Sequence, residues 1–216
     1  MIVPIVLAGL LFVAWGAVAE RIASVWPDDE ARRGPIGLRT VLIALASGAT
    51  AAAIVAVSGL PAWATLVHLA LLVPLVLLAA TDLEQRRLPH LALDPLIVGA
   101  AAFVPFNPTV APFDALIGAV AAVAFLGVLG LVIRGGVALG DLYLIAPLGL
   151  VLGWPAVFSA IFVAALLAGV TSVVLLVTRR VGMKSYIPFG PFLIAGAIVA
   201  LLREPQLLGQ VAALLR

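Results

Sequence analysis

The chain alternates between long apolar runs and short polar segments. An α-helix needs about 20 apolar residues, and at least about 17, to cross the hydrocarbon core of a bilayer. Irregular backbone facing lipid would leave polar groups unsatisfied, so apolar runs of this length are expected to be helices. The pattern predicts an all-α, polytopic transmembrane bundle of about eight spans, with six as the lower bound. The predicted spans are 2–19, 39–58, 62–80, 91–105, 114–133, 137–153, 156–178 and 187–202.

The composition supports a membrane protein and excludes several other classes. Of the 216 residues, 65% are hydrophobic and 10% are charged, whereas soluble domains average about 25% charged residues. The formal net charge is only +2, and no clustered basic face indicates a nucleic-acid partner. Cysteine is absent, which excludes disulfides, thiolate metal sites and cysteine nucleophiles.

The basic residues predict how the spans are oriented. Every second connection carries Arg or Lys, while 59–61, 105–113 and 153–155 carry none. The positive-inside rule places the basic connections in the cytoplasm and both termini outside. The first run lacks a preceding positive segment, so we expect a retained span rather than a cleaved signal peptide. We expect one domain over 1–216, with 20–39 as a short cytoplasmic loop.

Two of the acidic residues stand at the ends of spans. Asp82 directly follows the third run, and Asp141 lies near the beginning of the sixth. The predicted topology places both at similar depth on the cytoplasmic side. An ionised acid within a bilayer costs about 2.5–3.5 kcal/mol on insertion scales, so such residues usually pair or line a polar cavity.

A pair of carboxyl groups has a specific chemistry. Two carboxylates a few ångströms apart do not readily both ionise, so they share a proton. The ionised member then takes a proton from water, and the protonated member donates one to a carbonyl or leaving amine. This chemistry hydrolyses peptides without a metal or another cofactor.

Structural roles for the acids remain open beside the catalytic one. Asp82 can pair with Arg86 four residues later, and Asp141 can cap its helix. Asp94 precedes Pro95, which predicts an N-cap followed by a proline at the first helical position, and the same role is predicted for Asp114. The remaining acids of the first loop are expected to be solvated: Glu20, Asp28, Asp29 and Glu30.

Three segments resemble the motifs of the prepilin peptidases, the type IV leader peptidase family. Residues 81–90, TDLEQRRLPH, resemble the first active-site motif, with six residues between Asp82 and Pro89. Gly140-Asp141 resembles the end of the glycine-x-glycine-aspartate box. Residues 187–192, IPFGPF, resemble the late signature before the last helix. The resemblance covers roughly 69–202.

The resemblance implies a membrane aspartic endopeptidase of the bacterial cytoplasmic (inner) membrane. It implies a prepilin or pseudopilin substrate, whose short basic leader is removed at the cytoplasmic face, and it implies no cofactor. The catalytic residues would be Asp82 and Asp141. The residues implied to bind substrate or shape the site are Glu84, Pro89, Gly140, Tyr143, Pro188 and Gly190.

The sequence departs from the family pattern at several positions. Ala138 replaces the first glycine of the box, Tyr143 replaces the usual lysine, and His90 replaces an acidic or amide residue. The first loop is short and has no cysteine, so this is a minimal form for which N-methyltransferase activity is not expected. Gly135, Gly136 and Gly140 favour either a mobile backbone that admits an extended substrate or close helix packing.

Two non-peptidase hypotheses remain. The departures at Ala138 and Tyr143 fit a non-catalytic relative that acts in the assembly of a pilus or secretion system. A small transporter is supported only by the number of spans, because the middle of the membrane holds almost no ionisable group apart from His68. We expect His68 to be a hydrogen-bonded packing residue rather than a ligand.

Overall fold

Eight α-helices make up most of the part of the chain that the structure describes. The structure, a computed structural model, describes residues 2–27, 36–57, 59–133, 137–179 and 187–214, with side chains described up to Arg203. Within these ranges the chain is helical and contains no strand, which confirms the all-α class and the predicted number of helices. The helices are α1 Ile2–Ala23, α2 Leu38–Val57, α3 Ala62–Gln85, α4 His90–Phe103, α5 Pro112–Val132, α6 Leu139–Leu152, α7 Ala156–Val177 and α8 Gly190–Leu214, with a 3₁₀ turn at Val104–Phe106 after α4.

The helices differ in length. In the described part of the chain, α1, α2, α3, α5 and α7 are long and apolar enough to cross a membrane. Helices α4 and α6 have 14 residues each, which is about 21 Å at a rise of about 1.5 Å per residue. The chain is therefore a multi-pass membrane bundle that combines long helices with short ones.

The fourth helix begins one residue before the predicted span 91–105 and four residues before Asp94. It starts at His90, because the carbonyl of Pro89 accepts the N–H groups of Ala92 and Leu93 at 3.0 and 3.1 Å. The prediction that Asp94 is an N-cap is therefore wrong, since Asp94 lies inside the helix. Its Oδ1 atom instead lies 3.4 Å from Nδ1 of His90.

The predicted capping role of Asp114 is also wrong. Ala111 is the N-cap of α5, Pro112 is the first helical residue, and no side chain caps the helix. Asp114 is in the first turn, where its charge faces the positive end of the helix dipole. Its main-chain carbonyl accepts the N–H of Trp154 at 2.9 Å, which ties α5 to the α6–α7 connection.

The first connection is shorter than the predicted loop 20–39. Glu20 to Ala23 belong to α1, and Leu38 and Arg39 belong to α2. Asp28, Asp29, Glu30, Gly135 and Gly136 lie outside the described part of the chain. So do five basic residues of the connections predicted to be cytoplasmic: Arg32, Arg33, Arg134, Arg180 and Lys184.

Small residues let neighbouring helices touch backbone to backbone. A Cβ atom at Gly149 in α6 would lie 2.6 Å from Cα of Ala119 in α5, and one at Gly118 would lie 2.6 Å from the main-chain carbon of Gly153. Membrane helices commonly associate through such contacts, since lipid offers no hydrophobic driving force. The close approach of α5 and α6 fixes the position of the helix that carries Asp141.

Helices α1 and α2 also approach each other closely at a glycine, and a hydrogen bond joins them. A Cβ atom at Gly16 would lie 2.8 Å from Cα of Ala44, and the hydroxyl of Ser47 donates to the carbonyl of Phe12 at 2.8 Å. These contacts join α1 and α2 into a tight hairpin.

The interior of the bundle is apolar at its centre. Leu78, Leu93, Leu144 and Leu193, from α3, α4, α6 and α8, are completely buried. His68 is buried too, and its Nδ1 atom lies 2.8 Å from the carbonyl oxygen of Ala64. This contact agrees with the packing role predicted for His68.

The close α5–α6 contact can be tested by substitution. We expect Gly149→Val to lower the free energy of unfolding by about 1–3 kcal/mol, because the added atoms would force two backbones apart. Gly127→Val is the matched control, since a Cβ atom at Gly127 meets nothing within 4 Å. Thermal unfolding of both variants in the same detergent measures the difference, and equal midpoints would contradict the packing described here.

Candidate functional site

Asp82 is buried in the last turn of α3. Its side chain is 4% exposed, and its Oδ2 atom accepts the backbone N–H of Gly190 at 3.1 Å. Arg86 ends the helix in the left-handed conformation, and its N–H donates to the carbonyl of Asp82. The N–H group at the beginning of α8 therefore holds the Asp82 carboxyl group in place at the end of α3.

A side chain at position 190 would displace the carboxyl group of Asp82. A Cβ atom there would lie 2.6 Å from Oδ2 of Asp82. Gly190 is also the first residue of α8, and the first N–H groups of a helix have no partner within the helix. The late signature, residues 187–192, thus places the unpaired N–H donor of Gly190 against the Asp82 carboxyl group, with no side chain between them.

Asp141 is the third residue of α6 and is 2% exposed. Its Oδ2 atom accepts the backbone N–H of Ala138, the N-cap, at 3.1 Å. The capping role considered from the sequence is therefore present. Because the donor is a main-chain group, the replacement of glycine by Ala138 does not remove the bond.

The two aspartates line one cleft of about 580 Å³. Clefts that bind ligands commonly measure about 300–1,000 Å³. The described residues that line the cleft are Pro27, Asp82, Arg86, Arg87, Leu88, Pro89, His90, Leu93, Ala138, Leu139, Gly140, Asp141 and Tyr143.

Leu88 lies between the beginnings of α6 and α8, and the sequence analysis missed it. A Cβ atom at Gly140 would lie 3.1 Å from Cδ1 of Leu88, and one at Gly190 would lie 3.5 Å from Cδ2. Both glycines therefore make room for this side chain. The sequence offered one indication that Leu88 belongs to the site, because it lies inside the first motif, directly before Pro89.

Two residues that depart from the family pattern, His90 and Tyr143, contact each other. The rings of His90 and Tyr143 meet edge to face, with centroids 5.1 Å apart. Both residues line the cleft, and Tyr143 is about half exposed. The two substitutions thus form one aromatic contact at the rim of the cleft.

Three predicted site residues are not among the described residues that line the cleft, although one of them, Gly190, contacts Asp82 from α8. Glu84 forms an ion pair with Arg39 of α2, and Pro188 is half-buried two residues before Gly190. Arg39 also binds Glu20 at 2.8 Å. Glu20 was predicted to be a solvated loop charge, and this was wrong, because it is buried in α1.

Among the described residues, no group of three or more His, Cys, Asp or Glu side chains is arranged to hold a metal ion.

Comparisons with known proteins agree with the resemblance read from the motifs. The profile of the type IV leader peptidase family matches residues 69–173. A protein of Burkholderia pseudomallei named prepilin leader peptidase/N-methyltransferase is 36% identical over 174 residues, which are 78% of this chain and 56% of the relative. A protein of the same name from Aeromonas hydrophila is 33% identical over 175 residues, covering 79% of this chain and 60% of the relative.

A further relative is more distant, and the relatives are longer than this chain. The Bacillus subtilis protein of that name is 31% identical over 128 residues, which are 59% of this chain and 52% of the relative. The chain thus spans between about half and three fifths of the length of these relatives. No solved structure matches the chain significantly.

The contact between Gly190 and Asp82 leads to a prediction about carboxyl reactivity. We expect Gly190→Ala to displace the Asp82 carboxyl group, because the added methyl group occupies the space beside Oδ2. Carbodiimide labelling of Asp82, read by mass spectrometry, should then rise severalfold. Gly169→Ala is the control, since a Cβ atom at Gly169 meets nothing within 4 Å. Equal labelling of Asp82 in both variants would show that the glycine does not hold the carboxyl group in place.

Proposed function

Because the chain belongs to the type IV leader peptidase family, we propose that it is a membrane-embedded aspartic endopeptidase. Its substrate is a type IV prepilin or pseudopilin, from which it removes the short leader. The observation that carries this proposal is the burial of Asp82 and Asp141 in one cleft. Residues 69–202 carry the motifs within a single peptidase-like domain.

The two carboxyl groups supply the acid and the base of the hydrolysis. Sharing one proton, the pair holds one ionised and one protonated member. The ionised member takes a proton from water as the water oxygen bonds to the peptide carbon. The protonated member then gives its proton to the leaving amine as the C–N bond breaks.

Main-chain donors keep the two acids in position during this reaction. The N–H groups of Gly190 and Ala138 each bind one carboxyl oxygen. Both donors belong to the beginnings of helices, so they are fixed by the bundle rather than by flexible side chains. A reaction that depends on geometry benefits from groups held in advance, since misplacement by about 1 Å can cost about a hundredfold in rate.

The charge pattern supports a site at the cytoplasmic face of a bacterial inner membrane. The cleft lies where α3 ends and α6 begins, and Arg86 and Arg87 are at its edge. Basic connections favour the cytoplasmic side. A substrate that enters from the cytoplasm as an extended segment meets the acids beside Leu88 and Pro89.

The departures from the family pattern are compatible with activity. Ala138 still provides its main-chain N–H to Asp141, and Tyr143 packs on His90 at the rim. The names of the relatives also include N-methyltransferase, and this second activity is not part of the proposal. Neither substitution removes a group that the proposed hydrolysis uses.

The acid pair is tested by isosteric replacement. We expect Asp82→Asn and Asp141→Asn each to lower the rate of leader removal by about a hundred- to ten-thousandfold, because each removes one proton-transfer group. The measurement is co-expression with a candidate prepilin, followed by mass spectrometry of its N-terminus. Both variants should reach the membrane at the level of the unaltered protein.

Asp94→Asn is the control for this experiment. Asp94 is an exposed aspartate of α4 close to the same cleft, and its replacement should leave the rate unchanged. Full leader removal by either Asn variant of the pair would rule out the two-aspartate mechanism. If the unaltered protein binds a prepilin but never shortens it, a non-catalytic role in assembly is the better description.

A further inference from the structure

A cluster of charges around the buried carboxylate of Glu20 joins the first three helices near the site. Glu20 of α1 is 3% exposed. Its carboxylate accepts Nη2 of Arg39 at 2.8 Å, the hydroxyl of Thr40 at 2.9 Å and Nε of Arg21 at 3.1 Å. An acid buried this deeply requires such partners, because an unpaired charge in the interior is costly.

The same arginine reaches the end of α3. While Nη2 of Arg39 binds Glu20, Nη1 forms an ion pair with Glu84. The next residue, Gln85, donates from Nε2 to the carbonyl oxygen of Ala23 at 2.7 Å. Two consecutive residues of α3 are thus attached to the hairpin of α1 and α2.

These attachments lie in the same turn as Asp82. Glu84 follows Asp82 by two residues, so its side chain points about 200° away around the helix axis. On one face α8 binds Asp82 through Gly190, and on the opposite face the α1–α2 hairpin binds Glu84. The last turn of α3 is therefore held from two sides.

Stability alone does not account for a cluster of this kind. The side chain of Arg39 is 40% exposed, and an ion pair that solvent screens contributes little to stability. The cluster instead fixes how the ends of the three helices lie relative to one another, because the planar guanidinium group can bind two carboxylates in fixed directions. A lysine ammonium at the same place is a single point charge.

We propose that Arg39 and Glu20 are positioning residues of the peptidase site, which act on Asp82 through Glu84 and the last turn of α3. This inference rests on the proposed function. It assigns a role to the α1–α2 hairpin, which precedes the segment matched by the family profile. It also explains why Glu84, although part of the first motif, binds α2 instead of lining the cleft.

The kinetic test uses Arg39→Lys, Glu84→Gln and the double variant. Each single change should lower kcat about tenfold or more, while KM changes by less than about twofold, because a displaced acid slows the reaction more than it weakens binding. Since both residues act through one contact, the double variant should be no slower than the slower single variant.

Arg179→Lys is the matched control, because Arg179 is an exposed arginine at the end of α7. Its kinetics should equal those of the unaltered protein. An unchanged kcat in Arg39→Lys or Glu84→Gln would overturn the proposal. A decrease in kcat of the double variant equal to the product of the two single decreases would overturn it as well, since it would show that the two residues act independently.

A second measurement does not depend on activity. The chain has no cysteine, so spin labels can be placed at Leu83→Cys and Leu139→Cys, both exposed positions beside Asp82 and Asp141. Electron paramagnetic resonance should show a shifted or broadened distance distribution when Arg39→Lys is added, and none when Arg179→Lys is added. An unchanged distribution in a folded Arg39→Lys protein would overturn the positioning role.

The two proposals fail in different ways. If the unaltered protein removes no leader from any prepilin, the peptidase function fails, and the distance measurement alone decides the positioning role. If leader removal is normal in the unaltered protein and in Arg39→Lys, only the positioning role fails.

Discussion

The burial of two carboxyl groups in an apolar bundle is the constraint on which the rest of the structure depends. A buried polar group without a partner is costly, and both partners here are main-chain N–H groups at helix beginnings. Such groups are available because the first turn of a helix leaves its donors unpaired. Helices α6 and α8 therefore begin at the site, and position 190 holds glycine.

Much of the fold could be predicted from hydrophobicity. The apolar runs gave the number and approximate limits of the helices, and the ends of the runs placed Asp82 and Asp141 at one end of the bundle. The predicted span placed the beginning of α4 within one residue, but the capping role assigned to Asp94 was wrong because Asp94 lies inside the helix. The first helical residue depends on which carbonyl accepts the first N–H groups, and a single sequence does not contain this information.

The candidate site was predicted less completely. The motifs identified the two aspartates, Pro89, Gly140, Tyr143 and Gly190 as neighbours. They did not indicate that Glu84 lies outside the cleft. Its partner, Arg39, comes from another helix. Glu20 was misjudged for the same reason, since charge at the end of an apolar run resembles a loop residue until its cross-helix partners are known.

The short length of α4 and α6 has a consequence for the surrounding lipid. Helix α6 is about 9 Å shorter than a hydrocarbon core of about 30 Å, and α4 stays shorter than the core even with the 3₁₀ turn that follows it. Local thinning of the bilayer is one way in which a membrane accommodates a hydrophobic segment that is too short. The membrane is therefore expected to dip around these helices, and headgroups and water descend toward the acids at the beginning of α6. Hydration of the cleft then requires no channel through the protein.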